Sequence, residues 1–214
     1  MKSYQIHLIR HGAIDESLKG AYIGQSNPKL SDYGIKKLRE AMCEYDYPKG
    51  SINLFSSPLR RCIQTCEILY PDKQPVRVDG FSECNFGDWE GKTAVELKDD
   101  PRFVSWLSSS DKTPPPNGES GADFTRRICK TFERFVDGLI KNGFTDSVVI
   151  THGGVIMTLL AVYGLPKAKP FDWTMDNGFG FSMRITPSLW MRDKVAEVYS
   201  VTPLPKTAKN DKKL

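Results

Sequence analysis

The run Ser147-Val148-Val149-Ile150-Thr151 constrains the fold more than any other segment: it is continuous rather than alternating, and His152-Gly153-Gly154 closes it at once. A short unbroken apolar run of this kind fits a strand covered on both faces, as in a parallel sheet flanked by helices. Tyr4–Arg10 reads as another largely apolar strand, bounded by Gly12, and also exits through a histidine and a glycine, His11-Gly12. Ile52–Ser56 is a short apolar run that fits a buried strand, followed by Ser57-Pro58. Between these strands the apolar positions switch to helical spacing. They fall at Ile35, Leu38, Ala41, Met42 and Tyr45 after a capping Ser31, and at Leu59, Cys62, Ile63, Cys66 and Leu69 after Ser57-Pro58. Ser57 reads as that second helix's N-cap and Pro58 as its first residue. Phe124, Ile128, Phe132, Phe135 and Leu139 mark one face of a long helix, and Val155–Tyr163 another helix. Val76–Val78 reads as a short strand, and Phe179–Ile185 and Val195–Val201 as alternating strands joined in a hairpin through Pro187–Asp193. The alternation predicts an α/β fold: a three-layer α/β/α sandwich with a mostly parallel central sheet and an antiparallel edge strand.

Phe81–Ser120 breaks this rhythm. It is rich in Gly, Trp, Ser and Pro, with short helical pieces near Ala94–Lys98 and Phe103–Leu107. Its aromatic residues Phe86, Trp89, Phe103 and Trp106 can bury area, which a linker does not do, so the segment reads as an irregular cap insertion. The expected organisation is one domain over residues 1–203, with the cap at 81–120, and a flexible basic tail over 204–214.

The 214 residues are enough for one domain with a substantial core. The formal charge is +4, but the tail alone carries four lysines against one aspartate. The rest of the chain is therefore nearly neutral, which argues against a nucleic-acid surface. No run approaches the ~18 apolar residues of a membrane span. Met1–Ile9 makes a poor signal peptide, so a cytoplasmic location is expected. The five cysteines are odd in number and lack CxxC spacing, against a disulfide framework or a zinc ribbon. Cys62 and Cys66 read as buried thiols.

The chemistry concentrates at strand exits, the edge where open α/β sheets bind ligands. Of three histidines, His11 and His152 each stand before a glycine at such an exit, and His11 follows Arg10; His7 lies mid-strand and reads as structural. Arg61 falls in the first turn of its helix, where a cation opposes the macrodipole unless an anion is held there. Arg60 is about 100° away around the helix and reads as a surface residue. Two histidines can serve a metal, but no HxxxH pair, DxD run or Cys/His cluster accompanies them, and arginines repel a cation. No GxSxG elbow supports a serine nucleophile. Arginines with histidines suit a phosphoryl group instead.

Leu8-Ile9-Arg10-His11-Gly12 resembles the RHG signature of the histidine phosphatase superfamily, the phosphoglycerate mutase-like proteins. The resemblance runs through Gly24–Ser31, Ser57-Pro58-Leu59-Arg60-Arg61-Cys62, Glu83–Gly91, Pro116–Ser120 and Thr151–Ile156 in the family's order. It implies that His11 is the phosphorylated nucleophile, that Arg10, Arg61 and His152 hold the phosphate, and that Glu83 donates the proton, with His152 in the catalytic set. No metal and no cofactor are implied, and the partner is a small phosphomonoester, the protein being a monomer or homodimer without nucleic-acid or membrane partners. Within the superfamily the segments most resemble alpha-ribazole phosphatases, which act late in cobalamin assembly. Asn27-Pro28-Lys29-Leu30, where the family usually places an Asp and then Pro-Leu, and Asn85, where Asp is common, depart from the pattern and bear on substrate identity. Glu90 and Glu119 read as structural hydrogen-bond partners. A mutase, a sugar bisphosphatase and a catalytically silent scaffold are the alternatives at this level.

Overall fold

The computed structural model describes residues 2–109 and 113–206. Its strands are β1 (Tyr4–Arg10), β2 (Tyr45–Asp46), β3 (Asn53–Ser56), β4 (Val76–Arg77), β5 (Asp146–Thr151), β6 (Gly164–Leu165), β7 (Gly180–Ile185), β8 (Ala196–Thr202) and β9 (Leu204–Pro205). Its helices are α1 (Asp32–Glu44), α2 (Arg60–Leu69), α3 (Ala94–Leu97), α4 (Pro101–Ser109), α5 (Gly121–Asn142), α6 (Gly153–Tyr163) and α7 (Pro187–Asp193). Seven strands form the main sheet in the order β4-β3-β5-β1-β7-β8-β6. β4, β3, β5 and β1 are mutually parallel, β7 runs antiparallel to β1, and β8 antiparallel to β7.

The central strands are covered on both faces. In β5, Val149 faces a core with Ile6 and Leu8 of β1, Phe124, Ile128 and Phe132 of α5, and Val155 and Leu159 of α6. Val148 and Ile150 face the opposite side with Ile9, where Leu38 of α1 and Cys62, Cys66 and Leu69 of α2 complete a second core. The result is the expected three-layer sandwich. α5 ends at Gly143, which adopts φ 71° and donates its N–H to the carbonyls of Leu139 and Ile140, closing the cap.

Residues 81–120 carry a small core of their own, Trp89, Leu97 and Phe103, with Tyr22, Phe86 and Trp106 packed against it. Tyr22 comes from the loop after β1, so this segment is joined to the sandwich through aromatic contacts.

Three local expectations need correction. The chain between β7 and β8 is the helix α7 rather than a hairpin turn; Pro187 at its first position and the fully buried Trp190 drive it. The helix after β3 starts at Arg60, with Leu59 as its N-cap and no capping side chain, so Ser57 is not the cap. The Arg60 N–H is instead taken by Asn27 Oδ1 at 2.6 Å, a cap supplied from 33 residues away. Finally, Leu204–Pro205 is not a free tail: it pairs with β2, and the Lys206 ammonium donates to the carbonyls of Met42 and Cys43 at the end of α1. Residues 207–214 lie outside the described residues.

Candidate active site

β1 and β5 are parallel neighbours with Arg10 beside Thr151, so the residues leaving them, His11 and His152, emerge side by side at the C-terminal edge of the sheet. Their ring centroids are 5.2 Å apart at 65°. The His11 N–H donates to the Thr151 carbonyl at 2.9 Å and Gly12 N–H to Thr65 Oγ1 of α2 at 2.9 Å, which fixes the turn. His11 Nδ1 lies 2.7 Å from the Gly12 carbonyl, an acceptor only, so Nδ1 carries the proton and Nε2 the lone pair. That lone pair accepts from Arg61 Nε at 3.2 Å.

Arg61, the second residue of α2, is wholly buried. Its two other nitrogens donate to the Gly24 carbonyl at 2.6 Å and the Ser26 carbonyl at 2.8 Å. Arg10 donates from Nη1 to Met175 O at 2.9 Å, while its buried Nε has no partner among the described residues. A buried guanidinium donor left open in this way is costly unless something accepts from it. Glu83 projects toward α6, where its carboxyl accepts the N–H of Cys84 and of Gly154, both at 3.0 Å. A Cβ at position 154 would lie 2.5 Å from Glu83 Oε1, so only glycine lets the carboxyl reach the helix. A cavity of about 660 Å³ opens in front of Arg10, His11 and Glu83 and extends past Met157 and Met175. Arg61 and His152 stand behind His11, both with no exposed surface.

The electrostatics are dominated by burial. Burial pushes His11 down to about 3, assisted by the charge of Arg61 and of Arg10 and opposed by the bond to Gly12. Burial likewise holds His152 well below the usual imidazole range, with His11 and the arginines adding to the effect. Glu83 moves the other way: burial raises its carboxyl although two N–H groups and both arginines favour the charge. The edge therefore brings together a neutral imidazole whose Nε2 lone pair rests on an arginine N–H, a carboxyl biased toward its protonated form and two guanidinium groups. Such a set can attack phosphorus, protonate a leaving oxygen and balance phosphoryl charge.

All five residues singled out in the sequence, Arg10, His11, Arg61, Glu83 and His152, converge here. His7 does not: its ring bonds Ser182 at 2.7 Å and Asp146 at 3.1 Å inside the sheet, as a structural histidine should. Glu119 bonds Asn85 N–H and Arg127, and Arg127 in turn holds the carbonyls of Gly80, Ser82 and Glu83, which fixes the backbone carrying Glu83. Two residues at the edge escape a reading of the sequence. Asn177 donates to the His11 carbonyl at 2.8 Å, and Ser57 Oγ sits 2.7 Å from His152 Nε2. Ser57 carried a signal, since it follows a strand exit directly; Asn177 carried none, because no local pattern links it to β1.

The fold and this edge define a phosphatase built on a histidine. The chain belongs to the histidine phosphatase superfamily (branch 1), whose family model matches residues 6–194. It is 25% identical over 185 residues to the adenosylcobalamin/alpha-ribazole phosphatase of Salmonella typhimurium, covering 81% of this chain and 87% of that one. It is 27% identical over 172 residues to a 2,3-bisphosphoglycerate-dependent phosphoglycerate mutase of Methylocella silvestris, covering 76% and 82%. In fold it is similar to the crystal structure of the alpha-ribazole phosphatase from Shigella flexneri, with a TM-score of 0.77 over 94% of this chain and 96% of that one at 23% identity.

Proposed function

We propose that the chain hydrolyses a phosphomonoester through a phosphohistidine on His11 Nε2, and that alpha-ribazole 5′-phosphate, in cobalamin assembly, is its substrate. The observation that carries the chemistry is the tautomer of His11. With Nδ1–H committed to Gly12 and the ring kept neutral by burial, Nε2 carries the lone pair, which turns to phosphorus as the Arg61 N–H passes from it to a phosphoryl oxygen. In the first step Nε2 bonds to phosphorus as the bond from phosphorus to the ester oxygen breaks. The Glu83 carboxyl gives that oxygen its proton, so the product leaves as an alcohol. In the second step water attacks phosphorus, Glu83 takes its proton, and the N–P bond breaks to return neutral His11 and phosphate. Arg10, through its open Nε, and Arg61 hold the phosphoryl oxygens, with His152 behind them as a further donor. Residues 81–120 act as the cap, contributing Glu83 to the cavity wall.

The outer cavity supports an uncharged alcohol as leaving group. Ile14, Ile23, Met157 and Met175 line it, with Asp15 and Asp176 among the charged residues. Among the described lining residues the one lysine is Lys19, an exposed side chain 3.9 Å from Glu16. A second phosphate or carboxylate, as in phosphoglycerate or a bisphosphate, would meet the carboxylates of Asp15, Glu16 and Asp176 there. A cytoplasmic setting, where thiols stay reduced, suits five free cysteines. Among the described residues no helix is long and apolar enough to cross a membrane.

The test is a rapid-quench experiment with ³²P-labelled alpha-ribazole 5′-phosphate. Label should appear on His11 as a phosphoramidate, stable in alkali and lost in acid, and then as free phosphate. His11→Ala should lose at least ~10³-fold in turnover, on the order of 4 kcal/mol of barrier. Acid-stable label on another residue would overturn the mechanism. Turnover of other phosphomonoesters without alpha-ribazole phosphate would overturn only the substrate.

A further inference from the structure

Glu90 offers a second, less obvious link to the nucleophile. It stands in the segment 81–120, outside the cavity wall, yet its carboxylate accepts four backbone N–H groups: Gly24 at 3.0 Å, Gln25 at 2.9 Å, Ser26 at 3.2 Å and Phe86 at 3.1 Å. The carbonyls of two of these same residues, Gly24 and Ser26, accept from Arg61. The peptide between Gly24 and Gln25 therefore has its N–H on the Glu90 carboxylate and its C=O on the Arg61 guanidinium. A peptide unit held between an anion and a cation in this orientation is polarised by both, which strengthens each hydrogen bond. The close fit leaves no room for a side chain at Gly24, where a Cβ would lie 1.7 Å from the Cys84 carbonyl oxygen. Partial burial works against the charge on Glu90, but the hydrogen bonds donated to it outweigh burial and hold the carboxyl below its ordinary value.

We propose that Glu90 is a positioning residue for the phosphate site: acting through the peptides of residues 24–26, its charge fixes the Arg61 guanidinium against His11 Nε2. The proposal rests on the phosphatase reading, since it assigns Arg61 to the phosphoryl group. It also gives the segment 81–120 a role in the chemistry beyond supplying Glu83. Removing the charge at position 90 loosens the loop carbonyls, and Arg61 then loses the two acceptors that aim its Nε.

The experiment compares wild type, Glu90→Gln and Glu90→Asp by two readouts. One is the Arg61 Nε–H resonance and the ¹⁵N shift of His11 Nε2 in the free protein; the other is the Kd for inorganic phosphate by calorimetry. Glu90→Gln should lose the protected Arg61 Nε–H signal, move the His11 Nε2 shift and weaken phosphate binding by about tenfold or more. Glu90→Asp, which keeps the charge, should recover part of both effects. A lowered melting temperature with both readouts unmoved would make Glu90 a purely structural anchor and overturn the proposal. Should Glu90→Gln not fold, Glu90→Asp decides alone: shifts in both readouts support the relay, and a change in stability only overturns it. Wild type that binds no phosphate counts against the phosphatase pocket itself; the Arg61 and His11 signals then still decide the positioning role.

Discussion

At the residue scale the edge depends on burial acting with opposite signs on a base and an acid. Water withdrawn from His11 disfavours imidazolium and keeps a nucleophile, while water withdrawn from Glu83 disfavours carboxylate and raises its carboxyl above the ordinary value. Glu83→Gln should slow phosphorylation of His11 by an alkyl phosphate by ~10²-fold or more, because an alkoxide leaves poorly without a proton. A nitrophenyl phosphate should lose much less in the same step, since its leaving group departs unaided. Pre-steady-state kinetics on both esters make the comparison, and equal losses would assign Glu83 to support alone. Asp15 permits a test of substrate charge. Asp15→Lys places a cation on the outer cavity wall and should raise kcat/KM for 3-phosphoglycerate relative to a monophosphate ester of an uncharged sugar by about tenfold. An unchanged ratio would mean that the leaving group does not approach Asp15.

At the element scale, helices are tied down by partners far away in sequence. α2 has no capping side chain of its own, and Asn27 supplies the acceptor for its first N–H. Asn27→Ala should cost about 0.5 to 1 kcal/mol in urea unfolding, toward the lower part of the range for caps because Asn27 is exposed. α5 is held differently, by a row of buried side chains. Phe132 has no exposed surface and contacts Tyr163 of α6 and Trp190 of α7. Phe132→Ala should cost on the order of 3–5 kcal/mol, read from the same unfolding curves.

At the scale of the whole molecule, the two buried histidines make stability depend on pH. An unfolded chain binds protons at His11 and His152 near pH 6.5, whereas the folded chain resists at His11 down to about 3. Across that window the unfolded state binds more protons, so folded stability falls as pH drops from about 6.5 and is fully present above it. Glu83 has the opposite sign, because its raised carboxyl penalises the fold as pH rises past the ordinary carboxylate range. With two histidines against one carboxyl, the melting temperature should fall between pH 7 and pH 4, and His11→Gln should flatten the slope. An unchanged slope in that variant would mean that His11 is not held neutral.

The sequence alone determined what depends on neighbours along the chain. Short apolar runs marked β1, β3 and β5, helical spacing marked α1, α2, α5 and α6, and glycine after His11 and after His152 marked the strand exits. Because parallel strands align their C-terminal ends, those exits had to meet at one edge, and Arg10, His11, Arg61 and His152 were legible as a set; Glu83 came from the family resemblance. Tertiary structure decided whatever needs a partner distant in sequence. The cap on Arg60 comes from Asn27, the bond to His152 from Ser57, the bond to the His11 carbonyl from Asn177, and the pairing of Leu204–Pro205 from β2. None of these leaves a periodic trace, since a single side chain or a two-residue strand satisfies a hydrogen bond without imposing a pattern. The protonation states belong to the same class: His11 and Glu83 have ordinary intrinsic acidities, and only the packing that excludes water moves them apart.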